Sequence, residues 1–240
     1  MTVEPLSAEP PHRILRPSMR QSWCDLTFLH WRCDPAAVRP LLPAALDLDC
    51  YDGSAWIGLV PFYISGLTLP RAPAVPWLSH FPETNVRTYV VDRHGLRGAW
   101  FFSLDAARLP AVIGARAGYA LPYFWAHMAV YRQSDVVRYW SRRIAGPPAG
   151  TEIDVTAGPR IAHPTELEIF LTARFRLYAR RGATILKADV EHPPWPLRQA
   201  RATRLNESLI PAAGLPRFTE APLVHFSDRV DVLVAAPQRT

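Results

Sequence analysis

The chain has 240 residues, 49% hydrophobic and 20% charged, a composition that fits one globular domain and excludes a disordered protein. Its net charge of +6 includes 27 basic residues, of which Lys187 is the only lysine. Because the arginines are dispersed along the chain, nucleic acid is not expected as a partner. Twenty-five prolines argue against long uninterrupted helices.

Hydropathy indicates no transmembrane helix. The most apolar stretch, 55–69, is interrupted by Gly58, Pro61, Ser65 and Gly66. The amino terminus has no apolar core of the signal-peptide kind. We therefore expect a soluble, cytoplasmic protein with no membrane partner.

The sequence contains no pattern typical of a metal, disulfide or nucleotide site. Its three cysteines, Cys24, Cys33 and Cys50, form no CxxC pair, and its eight histidines form no HExxH or HxH cluster. No glycine-rich loop follows a strand, which disfavours nucleotide binding of the Rossmann or P-loop kind. We expect no metal and no cofactor.

Strand signals dominate the chain, beginning with the apolar run 55–64, which has the length of a strand. Three hairpins are then predicted: 85–91 with 98–104 around Gly95, 123–131 with 136–144, and 174–178 with 183–190 around Gly182. The segment 224–234 supplies a last strand. The prolines and glycines of 146–150 predict a loop between two halves of one domain.

Helices are predicted to be few and short. They are expected at 34–42, at 109–117 and 164–171, and as the longest helix at 197–212. Successive hairpins with short peripheral helices predict a mainly β, α+β fold, an antiparallel β-barrel or cone. We expect residues 1–17 to form a loosely attached arm and residues 18–240 to form a single domain.

The strand after residue 82 has one polar face. Because side chains alternate along a strand, Glu83, Asn85 and Arg87 share a face, and the residues between them form a mostly apolar face. The polar face either lies in solvent or lines the lumen of a barrel, where these groups would converge on a ligand. Parity alone leaves both alternatives open.

The strand 123–131 has no face suited to solvent. Tyr123, Trp125 and His127 share one side, and the other side is apolar as well. Such a strand needs cover on both sides, as the wall of a barrel with outer helices provides. The aromatic face either packs as plain core or contributes a phenol and an imidazole to a ligand site.

Several segments together resemble a known family. They are LTFLHW (26–31), LLPAALDLDCYDGSAWIGLVPF (41–62), FPETNVRTYV (81–90), GAWFFSLDA (98–106), ARAGYALPYFWAHM (115–128), FLTARFRLY (170–178) and HPPWPLRQA (192–200). They resemble the YqjF-like family of uncharacterised bacterial proteins, in the acetoacetate-decarboxylase-like superfamily, over residues 20–234. The resemblance implies a cone-shaped β-barrel around a cavity, in which decarboxylases form a Schiff base between a lysine and a β-keto acid.

The resemblance also implies residue roles. Glu83 is similar to the superfamily's cavity glutamate, and Arg20 is a counterpart of its arginine. The decarboxylases have a pair of lysines after a Gly-x-Pro segment, and one of these lysines is the nucleophile. The nearest match in this chain, 118–124, has Tyr123 and Phe124 after Pro122 instead. Since a phenol cannot form an imine, the Schiff-base mechanism of acetoacetate decarboxylase is disfavoured, while acid or hydrogen-bond chemistry by Tyr123 stays open.

The leading hypothesis is a β-barrel whose cavity binds a small carboxylate or keto compound. An enzyme of this kind would be a lyase, dehydratase or cyclase without a Schiff-base lysine; the alternative is a non-catalytic ligand-binding protein. Glu83 is expected as acid and base, Tyr123 as the group that stabilises an enolate oxygen, and Arg87 or Arg20 as the anion holder. Substrate binding is expected from Arg20, Asn85, Trp125 and His127. A homo-oligomer is left open.

Overall fold

The computed structural model describes residues 2–70 and 72–240. Within them it contains thirteen strands and four short α-helices. The strands are β1 (Met19–Cys33), β2 (Leu46–Leu48), β3 (Ala55–Thr68), β4 (Phe81–Asp92), β5 (Arg97–Ala106), β6 (Tyr123–Gln133), β7 (Val136–Arg143), β8 (Gly150–Arg160), β9 (Arg176–Arg181), β10 (Thr184–Glu191), β11 (Leu197–Glu207), β12 (Leu223–Val234) and β13 (Gln238–Arg239).

The helices lie at the periphery of these strands. They are α1 (Pro35–Val38), α2 (Leu109–Tyr119), α3 (Glu166–Thr172) and α4 (Leu209–Ala212), with a 3-10 helix at Arg39–Leu41. Within the described ranges, no helix has the length and apolar character needed to cross a membrane.

All thirteen strands belong to one sheet that closes on itself twice. The order β5-β6-β7-β8-β11-β12-β1-β3-β4, closed by pairing of β4 with β5, forms the larger ring. The order β10-β9-β5-β4-β3-β1-β12, closed by pairing of β10 with β12, forms the smaller ring. The pairings are antiparallel except where β5 meets β6 and β9. The predicted mainly β architecture with a few short peripheral helices is confirmed.

The five strands common to both rings, β12, β1, β3, β4 and β5, separate two interiors. On β4, Val86 packs into the larger ring, while Glu83 and Arg87 line a cavity in the smaller one. Every residue of β4 is buried, because both of its faces lie inside the protein. This double burial also explains why β3 contains a continuous apolar run.

The larger ring is filled by side chains. Its core consists of β-branched, aliphatic and aromatic residues that include Leu29, Ile57, Leu59, Val86, Val137, Ile153, Val155 and Phe226. Burial of this apolar surface is the main stabilising contribution that the ring makes to the fold.

The longest predicted helix, 197–212, is wrong. Residues Leu197–Glu207 form β11, and only Leu209–Ala212 are helical. Exposure alternates over residues 197–203 of the strand, with Gln199 and Arg201 exposed and Ala202 packed on the core. β11 pairs with β8 and β12, so inter-strand hydrogen bonds outweigh the helix propensity of these residues. The partner strand β8 was not predicted.

The other local predictions agree well with the structure. Helices occur at all three remaining predicted positions, and α3 begins with a capping box between Thr165 and Glu168. The three predicted hairpins are β4–β5, β6–β7 and β9–β10. Gly95 and Gly182 have φ of 81° and 60°, the left-handed conformation that their turns require.

Residues 2–17 contain no helix or strand, yet specific contacts tie them to the sheet. The Glu4 N–H donates to the Gly95 carbonyl at 2.9 Å, and Arg176 Nη1 donates to the Glu4 carboxylate at 2.6 Å. Leu6 packs against the aromatic cluster that contains Tyr89. The division into an arm (1–17) and a domain (18–240) stays a prediction.

Candidate functional site

A cavity of about 320 Å³ lies inside the smaller ring. Its size is at the lower end of the range of sites that bind small ligands. Strands β1, β3, β4, β5 and β9 and helix α2 supply most of its wall. The lining is predominantly apolar, with polar side chains that include Gln21, Glu83, Asn85, Arg87, Tyr123, Arg174, Arg176 and His192.

Glu83 and Tyr123 form a buried acid pair. The Tyr123 hydroxyl donates to Glu83 Oε2 at 2.9 Å, and Glu83 is only 4% exposed. Burial raises the pKa of Glu83 to about 8; the hydrogen bond from Tyr123 opposes the shift and the nearby Asp105 carboxylate adds to it. Glu83 is therefore mostly protonated at neutral pH and can act as a proton donor.

The phenol of this pair is also protonated. Burial and the Glu83 carboxyl raise the pKa of Tyr123 well above its ordinary value. Tyr123 is thus a hydrogen-bond donor at the cavity surface, and its partner Glu83 can release a proton when a base or a ligand atom approaches.

Arg87 is a buried cation without an acidic partner in the described part of the chain. Its Nη2 donates to the Leu171 carbonyl at 3.4 Å, whereas its Nε has no hydrogen-bond partner. The neighbouring Asn85 Oδ1 also lacks one. Unpaired polar groups in a cavity wall are costly, and a ligand that satisfies them gains the corresponding free energy.

Two further arginines line the same cavity. Arg174 Nη1 donates to Asp49 Oδ2 at 2.6 Å, while its Nε and Nη2 have no partner. Burial lowers the pKa of Arg174, and the Asp49 carboxylate opposes this shift, so the guanidinium stays charged. Arg176 is neutralised by Glu4 at 2.6 Å and Asp189 at 3.5 Å. Arg174 therefore offers N–H groups to a ligand beside Arg87.

Four of the seven predicted site residues line this cavity together: Glu83, Asn85, Arg87 and Tyr123. Their face of β4 thus points inward. The structure places these four side chains as the lumen alternative requires, while their roles toward a substrate stay predictions.

The other three lie outside the cavity. Arg20 is exposed in a separate surface cleft, because the alternation of β1 turns Gln21 inward instead. β6 pairs with β5 only over Tyr123–Trp125 and then follows the larger ring. Trp125 consequently packs against apolar side chains, and His127 is exposed.

The wall also contains polar residues that the sequence analysis did not single out, among them Gln21, Arg174, Arg176 and His192. Arg174 and Arg176 alternate with apolar residues, but alternation alone does not distinguish an inward polar face from a surface face. Burial lowers the pKa of His192 to about 4, and its Nδ1–H is placed to donate to the Pro193 carbonyl at 2.8 Å. His192 is therefore neutral at physiological pH.

The only lysine of the chain is not part of the wall. Lys187 lies on β10, half-buried and opposite Tyr178 of β9, and it does not line the cavity. The cavity therefore has no lysine side chain for imine formation. Among the described residues, no cluster of three or more His, Cys, Asp or Glu side chains is arranged to bind a metal ion.

Comparison with solved structures defines the class of fold. The enduracididine biosynthesis enzyme MppR complexed with pyruvate matches with a TM-score of 0.66 and 13% identity, over 95% of this chain and 92% of that one. Acetoacetate decarboxylase from Legionella pneumophila matches with a TM-score of 0.66 and 12% identity, over 96% and 92%. The chain has the acetoacetate-decarboxylase-like fold, as predicted.

Comparison of sequences defines the family. The model of DUF2071, an uncharacterized conserved protein, matches residues 20–231. The uncharacterized protein YqjF of Bacillus subtilis (strain 168) is 37% identical over 217 residues, which cover 90% of this chain and 89% of YqjF. The chain belongs to the DUF2071 family, and the predicted relationship to YqjF is confirmed.

Proposed function

We propose that this protein binds a small organic anion in the cavity of the smaller ring and catalyses proton transfer on it without a Schiff base. The observation that carries the proposal is the presence, in one cavity wall, of a protonated acid pair, Glu83–Tyr123, and of a buried cation, Arg87, that has no acidic partner among the described residues. MppR, which has the same fold, is complexed with pyruvate, a small organic anion.

Arg87 is the group proposed to hold the anion. The cavity's other guanidiniums already face carboxylates, Arg174 that of Asp49 and Arg176 that of Glu4, so their charges are at least partly compensated. A ligand carboxylate would supply the counter-charge that Arg87 lacks, through charge-assisted hydrogen bonds.

Glu83 is proposed as acid and base. In a dehydration, its carboxyl would donate a proton to a departing hydroxyl, which leaves as water. In the same step the other oxygen of that carboxyl group would take the proton from the neighbouring carbon, so that Glu83 ends in its starting state and negative charge develops on the adjacent carbonyl oxygen. Tyr123, whose hydrogen bond now goes to Glu83, would donate instead to the developing enolate oxygen. Lyase, dehydratase and cyclase reactions of this kind all need a group that moves a proton to or from the substrate.

A Schiff base has no part in the proposal, because Lys187 lies outside the cavity wall. Borohydride reduction in the presence of keto acids tests this point by mass spectrometry. We expect the mass of the protein to stay unchanged. A reduced adduct on Lys187 would show that the lysine does reach the substrate.

A non-catalytic binding protein on the same fold is the second candidate. The observation in its favour is that Glu83 and Tyr123 are hydrogen-bonded to each other within the cavity wall. Such a protein would use both groups only to complete a polar wall, and it would bind the anion without changing it.

Glu83→Gln separates the two candidates. The amide keeps the size and much of the hydrogen bonding of the acid but cannot donate or take the proton. We expect turnover, measured by NMR as loss of carbon-bound protons or formation of product from keto and hydroxy acids, to fall by about 100-fold or more. Ligand affinity should change only a few-fold.

Glu220→Gln is the matched control, because Glu220 is exposed and does not line the cavity. It should leave both turnover and affinity unchanged. Unchanged turnover in Glu83→Gln would remove Glu83 as the acid and base. If the unmodified protein binds keto and hydroxy acids but converts none of them, the non-catalytic candidate is favoured.

A further inference from the structure

The cavity has a long axis that the pairing of β3 with β4 defines. Along this pairing Arg87 lies opposite Gly58, Glu83 opposite Phe62, and Phe81 opposite Ile64. At a rise of about 3.3 Å per residue, the Cα atoms of Arg87 and Glu83 are about 13 Å apart, and Phe81 lies about 7 Å further on. The lining thus changes in order from cationic to acidic to apolar.

The cationic end is built around Arg87, whose guanidinium carbon is 5.4 Å from the centre of the Phe28 ring. The Arg87 guanidinium carbon is 5.6 Å from the centre of the Tyr89 ring, and that of Arg174 is 4.4 Å from the same ring. Arg87 also contacts the Leu171 carbonyl, which accepts a hydrogen bond from the Tyr89 hydroxyl. The anion site and the acid pair are therefore two separate positions along the cavity.

The opposite end of the cavity is apolar. Beyond Phe81 the wall is built by the start of β1, the end of β3, the segment before β4 and the first turns of α2. Its side chains there include Met19, Leu67, Leu69, Leu78, Pro110 and Ala111. Burial of an apolar ligand group against such a wall makes the free energy of binding more favourable. Burial of a polar group there does not.

We propose that the ligand is an elongated monocarboxylate with an apolar chain of medium length. Its carboxylate would lie at Arg87, its chain would pass Asn85 and the Glu83–Tyr123 pair, and its apolar end would lie beyond Phe81. This inference rests on the proposed anion site and adds the class of acid that the site takes.

The first experiment measures binding of butanoate, hexanoate, octanoate and decanoate to the full chain by calorimetry. We expect affinity to rise about threefold to fourfold with each added methylene group until the apolar end is filled. Octan-1-ol, which lacks the carboxylate, should bind at least tenfold more weakly than octanoate. Arg87→Met should reduce octanoate binding to a similar degree.

The second experiment obstructs the cavity at α2, where the lining residue Gly114 is exposed. Gly114 of α2 lines the cavity, and a Cβ added there meets no atom within 4 Å, so Gly114→Phe should fold. We expect it to weaken decanoate binding at least tenfold and to leave butanoate binding unchanged. Gly118→Phe is the matched control, because Gly118 is equally open but does not line the cavity.

The outcomes distinguish this inference from the proposed function. If all four acids bind with equal affinity and depend on Arg87, the elongated ligand is wrong and the anion site stands. If Gly114→Phe and Gly118→Phe behave alike, the apolar chain does not lie at α2 and the inference fails. If none of the acids binds, and small keto and hydroxy acids do not bind either, the anion site of the proposed function is wrong as well.

Discussion

Glu83 and Arg87 lie on the same face of one strand, yet burial affects their charges in opposite ways. The carboxyl of Glu83 can avoid the cost of a buried charge by keeping its proton, and its pKa is raised accordingly. A guanidinium cannot be neutralised in this way, so Arg87 stays charged and needs an anion. One strand face thus presents a proton donor and an anion site.

The raised pKa of Glu83 predicts a pH dependence of stability. Between its ordinary value of 4.5 and its folded value of about 8, the folded state keeps a proton that the unfolded state has lost. The free energy of unfolding should therefore fall as pH rises through this window, by up to about 1.4 kcal/mol per pH unit. Glu83→Gln should lack this decline.

Urea unfolding of both proteins from about pH 5 to pH 8 measures the effect. His192, whose pKa is lowered to about 4, makes stability rise with pH below about 6.5, but it contributes equally to both proteins and cancels in their difference. Two parallel stability curves would contradict the prediction and would show that Glu83 is ionised in the folded protein.

At the scale of elements, one buried ion pair joins strands that are not neighbours. Asp105 of β5 accepts from Arg143 Nε and Nη2 of β7 at 2.7 and 2.8 Å, and both side chains are at most 1% exposed. Between these strands lies β6, whose Phe124 ring centre is 3.9 Å from the Arg143 guanidinium. The pair ties β5 to β7 across β6, close to the short segment over which β6 pairs with β5.

Breaking this pair should be costly. Asp105→Asn leaves the Arg143 cation buried without a counter-charge, so we expect the free energy of unfolding to fall by about 3–5 kcal/mol. The double variant Asp105→Leu with Arg143→Leu removes both charges and should recover most of that loss. Urea unfolding measures both values, and a double variant no more stable than Asp105→Asn would contradict the argument.

Elements made by local contacts were predictable, and elements made by distant contacts were not. The hairpins β4–β5 and β9–β10 turn at Gly95 and Gly182, residues that permit a positive φ. In contrast, β11 has helix-forming residues and becomes a strand because β8 and β12 pair with it. No turn within 197–207 could indicate those partners.

At the scale of the whole molecule, the two rings differ in what they contribute to stability and to binding. The larger ring has an apolar core and the smaller ring has the cavity, although they have five strands in common. A change in the core of the larger ring should therefore alter stability without altering the site, provided that the common strands keep their positions.

Ile153→Val tests this division. Ile153 is fully buried in the larger ring and does not line the cavity, so we expect a loss of about 1 kcal/mol in the free energy of unfolding. Its affinity for octanoate should be unchanged. Phe62→Leu, in the cavity wall opposite Glu83, should change that affinity, and equal effects of the two variants would contradict the division.

The β class, the three hairpins and the shared strand face of Glu83, Asn85 and Arg87 could be inferred from the amino-acid sequence, because they follow from local pattern, turn residues or side-chain alternation. The family could be inferred from the resemblance of several segments. That the shared face lies inside the protein, with Arg174 buried beside it, became evident from the three-dimensional fold. The reason is that enclosure depends on pairings between strands far apart in the chain, such as β1 with β12 and β10 with β12, which no local pattern encodes.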